Sequence, residues 1–190
     1  MRIRLYFIAL WKIVDPIYFS CTRLQHLGNK RNHPSIFRVR LTCYKGRDVT
    51  LSDGTVIKKN DVLLKIHLHN ARLLHEFREM DSDLKKAMIL YKKVKESFPH
   101  LACYLEQHRD VKDIKGIIGI SVLNKGCERL GFDSYTISSP WYKWFKQLAH
   151  YPIYLLSTPK PYAIWKKRPS PKYLFMSKDR LLNKYGTSIG

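Results

Sequence analysis

The stretch Asp61–Asn70, DVLLKIHLHN, combines a clear strand pattern with a dense group of polar side chains. Its apolar and polar residues alternate, and side chains two apart in a strand share a face. One face is therefore predicted to be apolar, and the other to present Lys65, His67 and His69 in a row. Asn70 stands where a helical period begins, so we expect it to cap a helix N-terminus. Imidazoles beside a helix N-terminus suit an anionic ligand.

The flanking sequence predicts an α+β fold with a meander of antiparallel strands. Residues 36–44 alternate as a strand, and Asp53-Gly54 lies between two β-rich runs, which is a strong hairpin signal. A turn at 58–61 then leads into the central strand. Within the first strand we expect an inward set and an outward set: Phe37, Val39, Leu41 and Cys43 inward, and Arg38, Arg40 and Thr42 outward. Packed helices are predicted over residues 71–79, 82–98, 99–108 and 178–185, with Ser97 and Ser177 as the caps of the last two.

A second strand also ends in a polar turn. Residues 115–123, KGIIGISVL, predict a strand buried on both faces, and an Asn-Lys-Gly turn and a short helix at 127–130 follow it. Such a turn can cradle an anion, with Lys125 and Arg129 supplying charge, although an ordinary strand-to-helix connection is the more common explanation. The turn is not a Walker A loop, which requires GxxxxGK[ST].

Ligands in sheet-and-helix domains gather where strand ends meet, so we expect these two ends to form one site. The predicted ligand-binding residues are Lys65, His67, His69, Asn70, Asn124, Lys125, Gly126 and Arg129. In an enzyme, His67 or His69 would act as the acid or base. A zinc site would need a third ligand such as His75 or Cys127, and no spacing supports one. No metal or other cofactor is expected.

Both ends of the chain are basic and aromatic. Lys and Arg number 35 against 15 Asp and Glu, a formal net charge of +20, and most of the excess lies in residues 1–50 and 141–190. This asymmetry predicts an acidic partner: an anionic membrane surface, a lipid-linked carbohydrate or, as a weaker alternative, nucleic acid. The predicted membrane-contact residues are Arg2, Arg4, Trp11, Trp141, Lys143, Trp144, Lys146, Lys166, Lys167 and Arg168.

The length favours one main domain. Residues 1–27 predict an N-terminal helix, either amphipathic on a membrane or packed on the sheet, and residues 28–190 predict a single compact α+β domain. The 4 cysteines form no CxxC pair and are expected to be reduced thiols. Residues 5–11 are too short and too soon interrupted for a signal peptide or membrane span. We therefore expect a cytoplasmic protein, peripheral on the inner face of the membrane.

Three stretches resemble the YkoP-like domain family of Bacillus-type bacteria, whose domain also occurs joined to polysaccharide deacetylases. They are DGTVIKKNDVLLKIHLHN, GISVLNKGCERLGF and YLFMSKDRLLNKYG, in the order of the family. Carried over to this sequence, the polar motif positions are His67, His69, Asn70, Asn124, Lys125, Gly126, Arg129 and Ser177. The resemblance implies a cell-envelope setting with carbohydrate or lipid-linked carbohydrate nearby.

Together these observations favour a membrane-surface protein that binds an anionic, lipid-linked glycan intermediate through the strand-end cluster. An enzyme acting on such a substrate through His67 or His69 is the first alternative, although the sequence carries no dedicated carboxylate pair or nucleophile motif. A nucleic-acid-binding protein is the second alternative, which the charge permits without a helix-turn-helix, RRM or zinc-finger pattern.

Overall fold

A computed structural model describes residues 24–27, 35–69, 73, 76, 77, 80, 82–121, 126–137 and 170–186. These residues form eight strands, two α-helices and one 3₁₀ helix, in addition to helical positions at Leu73, Glu76 and Phe77. The strands are β1 (Gln25–His26), β2 (Phe37–Cys43), β3 (Val49–Thr50), β4 (Val56–Ile57), β5 (Val62–Leu68), β6 (Ile114–Ser121), β7 (Asp133–Thr136) and β8 (Lys172–Ser177). The helices are α1 (Asp83–Gln107), the 3₁₀ helix Cys127–Leu130 and α2 (Lys178–Tyr185).

Six strands form one sheet in the order β1-β2-β5-β6-β8-β7. All neighbouring pairs are antiparallel except β5 and β6, which pair in parallel because α1 carries the chain back between them. The α+β class is confirmed. The meander predicted over residues 36–69 is not, because β3 and β4 leave the main sheet and form a two-stranded sheet of their own.

Two apolar cores lie on opposite faces of the sheet. The larger one packs α1 and α2 against one face through buried residues such as Leu64, Phe98 and Met176. The smaller one lies on the other face, where the β3–β4 hairpin places Leu51 and Ile57 against residues of the sheet. The hairpin therefore contributes to the smaller core by packing on the sheet surface and not by extending the sheet.

The turn signals around this hairpin are confirmed. Gly54 has a φ of 84°, a left-handed conformation that glycine adopts without steric cost, and the amide of Leu51 donates to the Thr55 carbonyl at 2.8 Å. Asn60 has a φ of 74° in the turn before β5. Both turns return the chain to the sheet, so that β5 lies beside β2.

Helix α1 begins after Ser82, whose side chain accepts a hydrogen bond from the Lys85 amide at 3.3 Å. The predicted break at residue 98 is wrong, since α1 continues through Pro99 to Gln107. An interior proline removes one amide donor and crowds the carbonyl four residues earlier, but the buried face continues in register from Phe98 onward. Ser97, predicted to cap a new helix, instead accepts from the Ile36 amide at 3.1 Å.

The N-terminal helix prediction is wrong at its last residues. Gln25 and His26 form β1 and pair with β2, opposite Val39 and Arg38. The helical spacing of apolar residues continues up to Leu24, but the two residues that follow pair with the edge of β2 and are therefore extended. Residues 3–23 of that predicted helix lie outside the described residues.

The outward and inward sets predicted for β2 need one correction. Phe37 and Val39 are buried, but Leu41 is 36% exposed and Cys43 is exposed. Arg38, which was predicted to face solvent, is only 5% exposed. Alternation assigns residues to faces correctly, but it does not tell which part of each face another element covers.

Candidate functional site

Strand pairing brings six basic or imidazole side chains to one half of one sheet face. Arg38 lies opposite His26 of β1 on one side and His67 of β5 on the other, and Arg40 lies opposite Lys65. Opposed residues of antiparallel strands share a face, with Cβ atoms about 4.5–5.5 Å apart. We call this group the basic face: His26, Arg38, Arg40, Lys65, His67 and His69.

The basic face extends from the end of β5 to the edge strand β1. The rings of His26 and His69 meet edge to face, with centroids 5.6 Å apart. His69 lies just beyond β5, and its amide donates to the Ile36 carbonyl at 2.9 Å, which holds the residue beside the start of β2. The backbone therefore fixes the positions of both histidines, which reduces the entropy lost when a ligand is bound.

Burial differs along the basic face. His26 is exposed, the β5 members are half-buried, and Arg38 is almost fully buried. The Nε atom of Arg40 is also buried, and within the described part of the chain it donates no hydrogen bond. A guanidinium group removed from water requires hydrogen-bond acceptors, preferably anionic ones. The chemistry of the face therefore favours an anion that enters from the β1 edge.

The remainder of the same face is apolar. Leu63 lies two residues before Lys65 on the same face of β5. It is fully buried in the smaller core, beside Ile118 and Phe175. Tyr135 and Tyr173 pack against that core from β7 and β8. The basic face thus begins where the hairpin core ends, and one strand, β5, contributes to both.

The parallel pairing of β5 and β6 directs the two strand ends that were predicted to share a site toward the same edge of the sheet. At the β5 end, the Leu73 amide donates to the His69 carbonyl at 3.2 Å. Asn70, Asn124 and Lys125 lie outside the described residues. Their meeting with His67 therefore remains a prediction.

Two other predicted site residues lie on the helical side of the sheet. Gly126 precedes the 3₁₀ helix with a φ of 82°, and the Arg129 carbonyl accepts from the Lys184 side chain of α2 at 2.8 Å. Cys127 packs against the larger core, and burial raises the pKa of its thiol, with the Glu128 charge adding to the effect. The structure therefore does not bring these residues to the basic face.

A second polar cluster joins the hairpin, β7 and α2, and it brings both signs of charge together. Arg180 contacts Asp133 at 3.2 Å, Asp53 at 3.4 Å and the Ser52 hydroxyl at 2.9 Å. Ser177 donates to Asp53 at 2.5 Å and accepts from the Arg180 amide at 3.0 Å, so it caps α2 as predicted. We call these five residues the Arg180 network.

The Arg180 network lowers the pKa of the Asp53 carboxyl. Partial burial acts to raise its pKa, but hydrogen bonds from Ser177 and Thr55 and the charge of Arg180 outweigh burial and hold the pKa below its ordinary value. Asp53 is therefore a carboxylate at neutral pH. Its oxygens are engaged by the fold, so the network is best explained as a structural clamp.

The sequence prediction missed three members of the basic face: His26, Arg38 and Arg40. His26 was assigned to a helix, and the two arginines were assigned to a solvated face of β2. Pairing FRVRLTC antiparallel to VLLKIHL would have placed the arginines beside His67 and Lys65. The predicted membrane-contact residues in segments 2–11, 141–146 and 166–168 all lie outside the described residues. Within the part of the chain that the structure describes, no helix has the length and apolar character needed to cross a bilayer.

Comparisons with known proteins give one family. A family model described as the YkoP domain matches residues 4–185 of the chain. A Bacillus subtilis (strain 168) protein named "Uncharacterized protein YkoP" is 49% identical over 179 residues, which cover 94% of this chain and 96% of that relative. No solved structure gives a significant match.

Proposed function

The chain belongs to the YkoP domain family, and we propose that it binds an anionic, lipid-linked glycan intermediate on its basic face. In this proposal the protein works at the inner surface of the cytoplasmic membrane, in cell-envelope metabolism. The basic face supports an anionic ligand. The envelope setting that the family resemblance implies and the strongly basic composition of the chain support its glycan and lipid parts.

The observation that carries the proposal is the register of β1, β2 and β5. It places Arg40 directly opposite Lys65, and Arg38 between two imidazoles. Like charges that face each other across strands destabilise a sheet, by an amount comparable to the roughly 0.2–1 kcal/mol that favourable pairs contribute. A phosphate bound among these side chains turns that repulsion into attraction.

The residue types suit a phosphate or pyrophosphate group. Guanidinium groups present a planar fork of donors that matches phosphate oxygens, and a lysine ammonium adds a compact charge. A neutral histidine can donate one further hydrogen bond to the same oxygens. Two arginines, one lysine and three histidines therefore supply enough donors for several anionic oxygens.

The test is calorimetric titration of the purified protein at low salt with inorganic pyrophosphate and then, in detergent, with an undecaprenyl pyrophosphate-linked sugar. Both should bind, and the lipid-linked sugar should bind more tightly. Lys65→Met should weaken both affinities about tenfold, since hydrogen bonds to charged groups contribute about 1.5–3 kcal/mol. Arg40→Met should have a similar effect.

Lys115→Met is the matched control, because Lys115 is an exposed lysine near the beginning of β6, away from the basic face. It should leave both affinities unchanged. Equal losses in Lys65→Met and Lys115→Met would show that the protein attracts anions only through its net charge. Failure of the wild-type protein to bind either probe would refute the proposal.

Catalysis by the same face is the second candidate, and the contact between the His26 and His69 rings favours it, because neighbouring imidazoles can relay a proton. Incubation with undecaprenyl-linked sugars followed by mass spectrometry separates the two functions. A binder leaves the sugar intact, and His67→Gln then weakens affinity only modestly. Turnover that disappears in a folded His67→Gln variant would establish an enzyme, since general acid–base catalysis contributes about 10²–10⁴-fold.

A further inference from the structure

The first half of α1 exposes an apolar stripe. Leu84, Met88 and Tyr91 are 72%, 64% and 37% exposed, and they follow one another at the spacing of a single helix face. Exposed single apolar residues are common on protein surfaces, but three on one stripe of one helix form a patch. Some apolar side chains of α1 therefore do not contribute to the core.

The core uses the other half of the helix. The buried apolar residues of α1 begin at Phe98 and continue through Leu101, Ala102 and Leu105. Before Ser97, the apolar residues that face the core, such as Leu90 and Val94, are only partly buried. The first half of α1 is therefore only partly buried on its inner side, and it exposes a second apolar side to solvent.

Lysines surround the exposed stripe. Lys85, Lys92 and Lys95 are all exposed, and helical spacing places Lys95 on the stripe itself. Residues 84–95 contain no Asp or Glu, and the next acidic residue, Glu96, lies 3.8 Å from Lys92. The α1 outer face, defined as Leu84, Lys85, Met88, Tyr91, Lys92 and Lys95, therefore combines apolar side chains with positive charge.

The outer face lies near the edge of the sheet where β5 and the basic face end, although α1 itself packs on the opposite face of the sheet. The Ser97 hydroxyl accepts from the Ile36 amide, and the Ile36 carbonyl accepts from the His69 amide. Helix α1 enters from the edge where β5 ends and leaves toward the start of β6. The residues before Ser97 are therefore at or beyond the edge that carries His69.

We propose that the α1 outer face lies on an anionic lipid bilayer, with Leu84 and Met88 inserted at the level of the headgroups and the lysines paired with lipid phosphates. This geometry is that of an interfacial helix, with an apolar strip and a basic border. It would hold the edge with His69 toward the membrane, where a lipid-linked anion is presented. The inference rests on the membrane placement in the proposed function, but it assigns that placement to residues outside the chain termini.

Charge complementarity selects the bilayer over a second copy of the chain. Two α1 outer faces in contact would bring lysine against lysine, which is unfavourable in the partly desolvated interface of a dimer. An anionic membrane supplies the opposite charge along the whole face, and its acyl chains accept Leu84 and Met88. Lysine stems can also extend their ammonium groups toward the phosphates while the carbon chain covers apolar surface.

The test is co-sedimentation with vesicles of phosphatidylcholine and phosphatidylglycerol in a ratio of about 7:3, with pure phosphatidylcholine as reference, at low ionic strength because added salt screens the attraction. The variants are Leu84→Gln with Met88→Gln, and Lys85→Gln with Lys95→Gln. Val56→Thr is the control, because Val56 is a 42% exposed apolar residue of the hairpin. Full-length protein is used throughout.

Losing both apolar side chains should lower the partition coefficient at least tenfold. Each lost lysine should lower it about fivefold on anionic vesicles and leave it unchanged on neutral ones. Val56→Thr should match the wild type. The Leu84/Met88 variant should still bind inorganic pyrophosphate with wild-type affinity, which separates this inference from the anion site.

Three results would overturn the inference. The wild-type protein could stay in the supernatant, or the Leu84/Met88 variant could sediment like the wild type. The third is a wild-type dimer, seen by light scattering, that the Leu84/Met88 variant converts to a monomer. That dimer would make a second copy the partner of the α1 outer face. If the wild-type protein bound vesicles but not pyrophosphate, only the proposed anion site would be refuted.

Discussion

The basic face and the Arg180 network both place arginines on structured elements, but they differ in what surrounds them. In the Arg180 network, two carboxylates, a hydroxyl and a carbonyl contact one guanidinium. On the basic face, the residues paired across strands with Arg38 and Arg40 are two histidines and a lysine. The first arrangement satisfies its charge within the fold, whereas the second concentrates charge of one sign.

This difference separates a structural cluster from a binding surface. Opposite charges fixed at hydrogen-bond distance stabilise the folded protein and have little capacity left for a ligand. Charges of one sign held close together cost stability, and that cost is offset when an anion binds. Removing charge should therefore have opposite effects on the folding stability of the two regions.

The largest effect is expected for Arg180→Met. This change leaves Asp53 and Asp133 near each other without their shared cation and removes a donor to the Gly131 carbonyl. Because the side chain is 23% exposed, the loss should be less than for a fully buried pair, about 2–3 kcal/mol of unfolding free energy. Urea unfolding followed by circular dichroism measures it.

Arg109→Met controls for the removal of an arginine as such. Its side chain is 90% exposed and contacts only Asp110 among the described ion pairs. Its unfolding free energy should stay within about 0.5 kcal/mol of the wild type, as for most surface changes. An equally small loss in Arg180→Met would mean that the network does not clamp the hairpin to α2.

A smaller effect is expected for Asp53→Asn, with a pH dependence of fixed sign. The folded state lowers the pKa of Asp53 relative to the unfolded chain, so the carboxylate stabilises the fold above the ordinary Asp range. That contribution disappears as the pH falls through the lowered folded pKa. At pH 7 the variant should lose about 1–2 kcal/mol, as for a hydrogen bond to a charged group.

Unfolding measured from pH 7 to pH 3 completes this comparison. The wild-type protein should lose more stability over that range than Asp53→Asn, so the two curves converge on acidification. Carboxylates outside the Arg180 network contribute equally to both proteins and cancel in the difference. Parallel curves would show that Asp53 has the same pKa in the folded and unfolded chains.

Local signals in the sequence predicted local structure well. The alternation of DVLLKIHLHN predicted β5 and its two faces, Ser177 predicted a helix cap, and Asp53-Gly54 predicted the hairpin turn. Each of these depends on residues only a few positions apart. Capping and turn chemistry act over that range, so sequence alone carries them.

The candidate site was predicted less completely because it depends on strand neighbours. Lys65 and His67 were identified from β5 alone, but Arg38 and Arg40 join them only through the antiparallel register of β2. His26 joins only because β1 adds to the edge of β2. The parallel pairing of β5 with β6 likewise requires α1 to return the chain, and periodicity does not report such long-range pairing.

The smallest predicted effect is also the one that most directly compares the two regions: Arg40→Gln. Because Arg40 faces Lys65 across the strand pair, removing its charge relieves a repulsion, and the ligand-free protein should become more stable by about 0.5 kcal/mol at low salt. Sodium chloride at 0.1 M should shrink the gain only in part, because the screening length is about 10 Å and the two residues face each other on neighbouring strands. With saturating pyrophosphate the order should reverse, because the wild-type protein gains the stabilisation of a bound ligand and the variant gains less. Thermal unfolding at low salt, in 0.1 M sodium chloride and with saturating pyrophosphate, with Lys115→Gln as the control, measures these differences. If Arg40→Gln instead destabilises the ligand-free protein by 1 kcal/mol or more, Arg40 is held by the fold in the manner of Arg180, and the basic face is structural.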